Sequence, residues 1–192
     1  MTAIERRQTA VMPGSLAAVA QANKQSLAQT FVGAEVVVII DTSGSMDSKD
    51  SRGGRSRYNV ACEELAALQA GLPGRIAVIS FSEQVVFCPS GTPTFFGNST
   101  DMAAALRFAK VADVPGMRFI LISDGEPNDS RAALAEAAKF RNRIDVVYVG
   151  PENMPLGRAF LQQLAAASGG QAVTADRAVG LLGATQKLLA AA

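Results

Sequence analysis

Five consecutive β-branched residues, Val36-Val37-Val38-Ile39-Ile40, run straight into Asp41-Thr42-Ser43-Gly44-Ser45-Met46. An uninterrupted apolar run of this length predicts a strand buried on both faces, as at the centre of a parallel sheet. Asp41, Ser43 and Ser45 then stand two apart on a turn that Gly44 would let bend sharply. In open α/β sheets, ligands sit outside the carboxyl ends of the strands. A carboxylate beside two hydroxyls at such a place is an all-oxygen donor set, suited to magnesium, calcium or manganese rather than zinc.

The chain after this strand alternates. Tyr58, Ala61, Cys62, Leu65, Leu68 and Gln69 mark a helix that ends at Gly71-Leu72-Pro73-Gly74, and Ile76 to Phe81 is a second buried strand. The connection Ser82-Glu83 is too short for a parallel crossover, so residues 84–88 are expected to return as an antiparallel edge strand. A loop over 89–99 leads to a helix over 101–111, for which Ser99, Thr100 and Asp101 are all ordinary N-cap residues. Met117 to Gly125 repeats the opening scheme, a buried strand ending in an acid and a glycine. Helices are expected at 130–140, 156–167 and 178–191, with strands at 144–149 and 171–174. Strands alternating with helices predict an α/β fold with a mostly parallel sheet covered on both faces. Residues 1–30 differ: a weak stripe of Leu16, Val19, Ala20 and Leu27 predicts a partly helical extension packed against a domain spanning 31–192.

Composition removes several chemistries. Histidine is absent, which excludes Ser-His and Cys-His catalysis and His-ligated zinc. A net charge of +1 gives no support for wholesale nucleic-acid binding. Cys62 and Cys88 form no CxxC and read as reduced thiols. No run reaches membrane-spanning length and the N-terminus carries no signal pattern, so a cytoplasmic protein without membrane contact is expected.

The residues Asp41-Thr42-Ser43-Gly44-Ser45 resemble the D-x-S-x-S signature of von Willebrand factor A (VWA) domains, where they open a metal-ion-dependent adhesion site. Two further motifs fit that family in the right order: Thr100 followed by Ala105 and Leu106, and Asp124-Gly125 closing the fourth strand. The resemblance covers residues 33–190. It implies a doubly wound, Rossmann-like six-stranded sheet of order 3-2-1-4-5-6 with strand 3 antiparallel. It also implies a Mg2+ site (Mn2+ or Ca2+ as alternatives) formed by Asp41, Ser43, Ser45, Thr100 and Asp124. In the family the two acids act mostly through bound waters and hydrogen bonds, so the ion keeps an open position for an outside carboxylate. The expected function is therefore metal-dependent protein binding, through an Asp or Glu of a protein partner. The stretch from Asp124 to Asp129 resembles that of bacterial intracellular members, some of which work with AAA+ ATPases.

The loop from Lys49 to Arg57 leaves the site directly, with four basic residues against one acid. Arg52, Arg55 and Arg57 are expected to form a rim that steers an acidic partner. Two enzyme readings compete. An aspartic protease would need a second Asp-Thr/Ser-Gly copy and an all-β pattern, and this chain has neither. A haloacid-dehalogenase-like phosphatase could use Asp41 as its nucleophile, but Ser43 stands where that family places its general acid. A non-enzyme is expected. The remaining alternative is a structural VWA domain with a non-functional metal site.

Overall fold

The computed structural model describes residues 10–51, 54–125, 127–151 and 154–174. The helix expected at 178–191 and the rim residue Arg52 lie outside them. In chain order the elements are α1 (Leu16–Asn23), α2 (Leu27–Val32), β1 (Val36–Asp41), α3 (Arg57–Gly71), β2 (Ile76–Phe81), β3 (Val85–Phe87), α4 (Met102–Ala109), β4 (Arg118–Ser123), α5 (Ser130–Ala137), β5 (Ile144–Tyr148), α6 (Pro155–Ala167) and β6 (Ala172–Thr174).

The six strands form one sheet of order β3-β2-β1-β4-β5-β6. Every pairing is parallel except that of β2 with β3. This is the doubly wound topology that the alternation and the short Ser82-Glu83 hairpin imply. β1 is central and all six of its residues are buried. Its alternate side chains feed two cores. Val37 and Ile39 pack with Leu106, Phe119, Leu121 and Leu164 on one face. Val36, Val38 and Ile40 pack with Ala61, Leu65 and Leu68 of α3 on the other. A one-residue slip of β1 would exchange the two sets, so register is strongly determined. It runs Val36↔Ile76 to Asp41↔Phe81 on one side and Val36↔Arg118 to Ile40↔Ile122 on the other. The carboxyl ends of β1, β2 and β4 are thereby level.

The partly helical extension expected over residues 1–30 forms two short helices, the second running on to Val32. The chain breaks at Lys24, whose φ of 53° is left-handed, and Ser26 with Gln29 builds a capping box that restarts it. Leu16 is fully buried in the same core as Val37 and Ile39. The helix expected over 101–111 also ends early, tightening into a 3-10 turn over Lys110–Ala112. No helix among the described residues is long and apolar enough to cross a membrane.

Candidate metal centre

β1 carries Asp41 to the upper edge of the sheet, where the carboxyl is wholly buried. Neutral donors hold both of its oxygens. The Ser43 backbone N–H donates to Oδ1 at 2.9 Å and the Ser123 hydroxyl to Oδ2 at 2.6 Å. Burial pushes the Asp41 carboxyl up to about 6 and the neighbouring Asp124 adds to this, while the bonds from Ser123 and Ser43 oppose it. The chain then closes into a 3-10 turn over Gly44–Asp47, placing the Ser45 hydroxyl 3.2 Å from that of Ser43. Gly44 is not in a left-handed conformation, and a Cβ there would stand 3.5 Å from the Asn98 carbonyl, an ordinary contact. The bend expected to need glycine comes from the 3-10 turn.

The second loop is tied to the first. Gly44 donates its N–H to the Asn98 carbonyl, and Gly97 donates to that of Thr42. Of the three candidate caps for α4, Asp101 serves, accepting from the Ala104 N–H at 2.9 Å. Thr100, nearly buried, is therefore not spent on capping. Its backbone is clamped to the third loop, the Asn128 side chain accepting its N–H and its carbonyl accepting from the Asn128 N–H, both at 3.0 Å.

That third loop starts at Asp124, just past β4 and 2% exposed. Gly125 follows with φ 87°, and the α6 backbone presses against it: a Cβ on Gly125 would lie 2.3 Å from the Gly157 carbonyl oxygen. Asp124 Oδ2 accepts from Arg57 Nη1 at 2.7 Å. Asp124 Oδ1 is buried and has no hydrogen-bond partner among the described residues. Leaving a buried carboxylate oxygen unmatched is costly, and such an atom calls for a partner.

Arg57 corrects the rim expectation. It is the first residue of α3, not part of the exposed loop, and its side chain is 4% exposed. Its guanidinium reaches inward to Asp124 and sideways to Asp50, with Nε on Oδ1 at 2.8 Å and Nη2 on Oδ2 at 2.5 Å. Those bonds hold Asp50 below the usual carboxylate range. Arg55 is exposed but ion-paired with Glu63. Two of the loop's four basic residues, Arg55 and Arg57, are thus paired within the molecule. Neither thiol is in a disulfide, and burial pushes Cys62 up to about 11.

Three buried or half-buried hydroxyl-bearing residues and two carboxylates therefore lie on loops that are bonded to one another. Among the described residues, no three Cys, Asp or Glu side chains cluster as a metal site. A site here would depend on serine and threonine oxygens, as the motif suggests. Asp124 Oδ1 and the mutual repulsion of the two acids fit a hard cation. Ser123, Asn128 and Asp50 were not singled out from the sequence. Ser123 is a hydroxyl ending an apolar strand, and Arg57 begins the observed buried stripe Arg57, Val60, Ala61, Leu65, Leu68, but neither pattern names the acid it meets.

No protein-family model matches the chain and no curated protein matches it in sequence. Solved structures do. An aerotolerance-related membrane protein from Bacteroides fragilis NCTC 9343, in a form with multiple mutations to serines, aligns with a TM-score of 0.64 at 18% identity over 82% of this chain and 98% of its own. The ArnB paralog VWA2 from Sulfolobus acidocaldarius aligns at 0.53 and 24% identity, over 74% of this chain and 41% of its own. The von Willebrand factor type A protein from Catenulispora acidiphila aligns at 0.52 and 18% identity, over 74% and 38%. The chain spans about two fifths of the length of the last two. The fold is that of a von Willebrand factor A domain.

Proposed function

We propose that this VWA-fold chain is a metal-dependent protein-binding module and not an enzyme. Asp41, Ser43, Ser45, Thr100 and Asp124 hold a divalent cation, Mg2+ under physiological conditions, at the carboxyl edge of the sheet. The observation that carries this reading is Asp124 Oδ1, a buried carboxylate oxygen without a partner among the described residues, on a loop bonded to the one that delivers Thr100. Ser43 and Ser45 supply neutral oxygens, and Asp41, already engaged by Ser43 and Ser123, acts mainly by orienting that loop. A bound ion supplies a Lewis-acidic position that accepts a carboxylate of a protein partner. A cytoplasmic setting and a partner within an AAA+ ATPase system belong to the same proposal.

The phosphatase alternative is disfavoured by the same geometry. A nucleophilic aspartate needs a free oxygen facing substrate, whereas Asp41 is fully buried and bonded through both. The test is affinity capture with the full chain in Mg2+, in EDTA, and with the Ser43→Ala, Ser45→Ala double variant. A protein retained in Mg2+ and lost in the other two is expected. Retention that ignores EDTA would sink the metal-bridged mode.

A further inference from the structure

Arg57 is a cation buried beside a site read as a cation site. Its guanidinium donates to Asp124 Oδ2 on one side and to both oxygens of Asp50 on the other. Asp124 faces that bond with one oxygen and leaves the other unmatched. The acid is thus held in a single orientation by a group of the same sign as any metal it would bind. Asp50 lies on the loop between the 3-10 turn and α3, with its side chain 40% exposed. One guanidinium therefore joins a buried acid of the site to an acid of the surface loop.

We propose that Arg57 is a positioning residue that aims Asp124 while holding down the site's affinity for a divalent cation, and that Asp50 tunes this by sharing the guanidinium. The inference rests on the metal-binding reading above. Two buried carboxylates with a divalent ion would be neutral together and offer an outside anion little. With Arg57 included, the buried groups and the ion carry a net positive charge. Asp50 is screened by water and offsets this only in part. The arrangement trades metal affinity for attraction of an acidic partner. Reciprocal linkage follows: whatever pulls Asp50 away from Arg57 strengthens the grip of Arg57 on Asp124 and weakens metal binding.

The test is calorimetry with Mn2+ on the EDTA-treated full chain, paired with thermal melts of the metal-free protein. Arg57→Gln should bind Mn2+ about tenfold more tightly, because a unit charge a few ångströms from a divalent ion is worth about that even at water's dielectric constant. The same variant should melt lower without metal, since the buried Asp124 loses its counter-ion. Arg57→Lys, which keeps the charge, should stay within about threefold of wild type. Asp50→Asn should weaken Mn2+ binding about threefold alone and have no effect in the Arg57→Gln background, as expected of a residue acting through another. A merely structural Arg57 would lower stability and weaken metal binding together, and that result for Arg57→Gln would overturn the proposal. If Arg57→Gln does not fold, an unchanged Mn2+ affinity in Asp50→Asn would overturn it as well. A wild type that takes up no Mn2+ would overturn the metal reading and this inference with it. That outcome is distinct from a binding wild type matched by its variant.

Discussion

β1 and β4 are neighbours in register, and β1 ends at a buried aspartate while β4 is followed at once by another on the same edge of the sheet, yet the two ends are built on opposite terms. Asp41 is satisfied by neutral donors on both oxygens, and its turn tolerates a side chain at Gly44. Asp124 is satisfied by a full charge on one oxygen and by nothing described on the other, and its turn requires glycine. The first end is a closed hydrogen-bonded loop. The second is a clamped, half-matched acid. A divalent cation would complete the second and relieve the repulsion felt by the first.

The contrast is tested most severely at the two glycines. Gly125→Ala forces a left-handed φ on alanine and drives its Cβ into the Gly157 carbonyl. It should cost roughly 3 kcal/mol or more in urea denaturation, through strain and overpacking that neither backbone can relieve. A cost under about 1 kcal/mol would mean that the α6 contact gives way easily.

The next effect is pH-dependent and belongs to Asp41. Its folded carboxyl titrates at about 6, above its ordinary 3.8, so the protonated form favours the folded state. That contribution is complete below about pH 4 and is lost as pH rises through 6. The loss amounts to roughly 3 kcal/mol in metal-free protein. Melts in EDTA across this range should show the decline, and saturating Mg2+ should flatten it. A flat profile in EDTA would contradict the account of Asp41.

Ser123→Ala removes the hydroxyl from Asp41 Oδ2 and should cost roughly 2 kcal/mol at neutral pH, with less effect at pH 4, where the acid is protonated. The hydroxyl also accepts the Gly125 N–H at 3.0 Å, so equal losses at both pH values would assign Ser123 to that bond and to packing rather than to Asp41. The smallest effect is expected at Gly44→Ala. The residue is exposed and its added Cβ meets only ordinary contacts, so stability should stay within about 0.5 kcal/mol of wild type.

The two strand ends also show what a chain displays before it folds. β1, β2 and β4 were legible because short apolar runs rich in β-branched residues and bounded by turn residues fit buried strands, and the link of three residues between Phe81 and Val85 is too short for anything but a hairpin. The positions of Asp41 and Asp124 at the carboxyl edge follow from the same runs. What holds those acids was not legible. Ser123 meets Asp41 across 82 residues, and Arg57 meets Asp124 across 67. Such pairings exist only after the sheet has assembled. Arg57 was misplaced because an arginine beside Gly54, Arg55 and Ser56 reads as loop, while Ser56 in fact caps α3 and puts Arg57 on its buried stripe. The break at Lys24 was hidden for a related reason: an Ala- and Gln-rich stretch carries too weak a stripe to reveal where a helix stops.

The central claim is that this edge of the sheet binds a divalent cation through its serine hydroxyls. The direct measurement is titration of Mn2+ into this chain after EDTA treatment, wild type against the Ser43→Ala, Ser45→Ala double variant, with melts confirming that both are folded. The account expects saturable binding in the wild type and none in the variant, at melting temperatures within a few degrees of each other. No saturable binding in the wild type, or equal binding in both proteins, would contradict it.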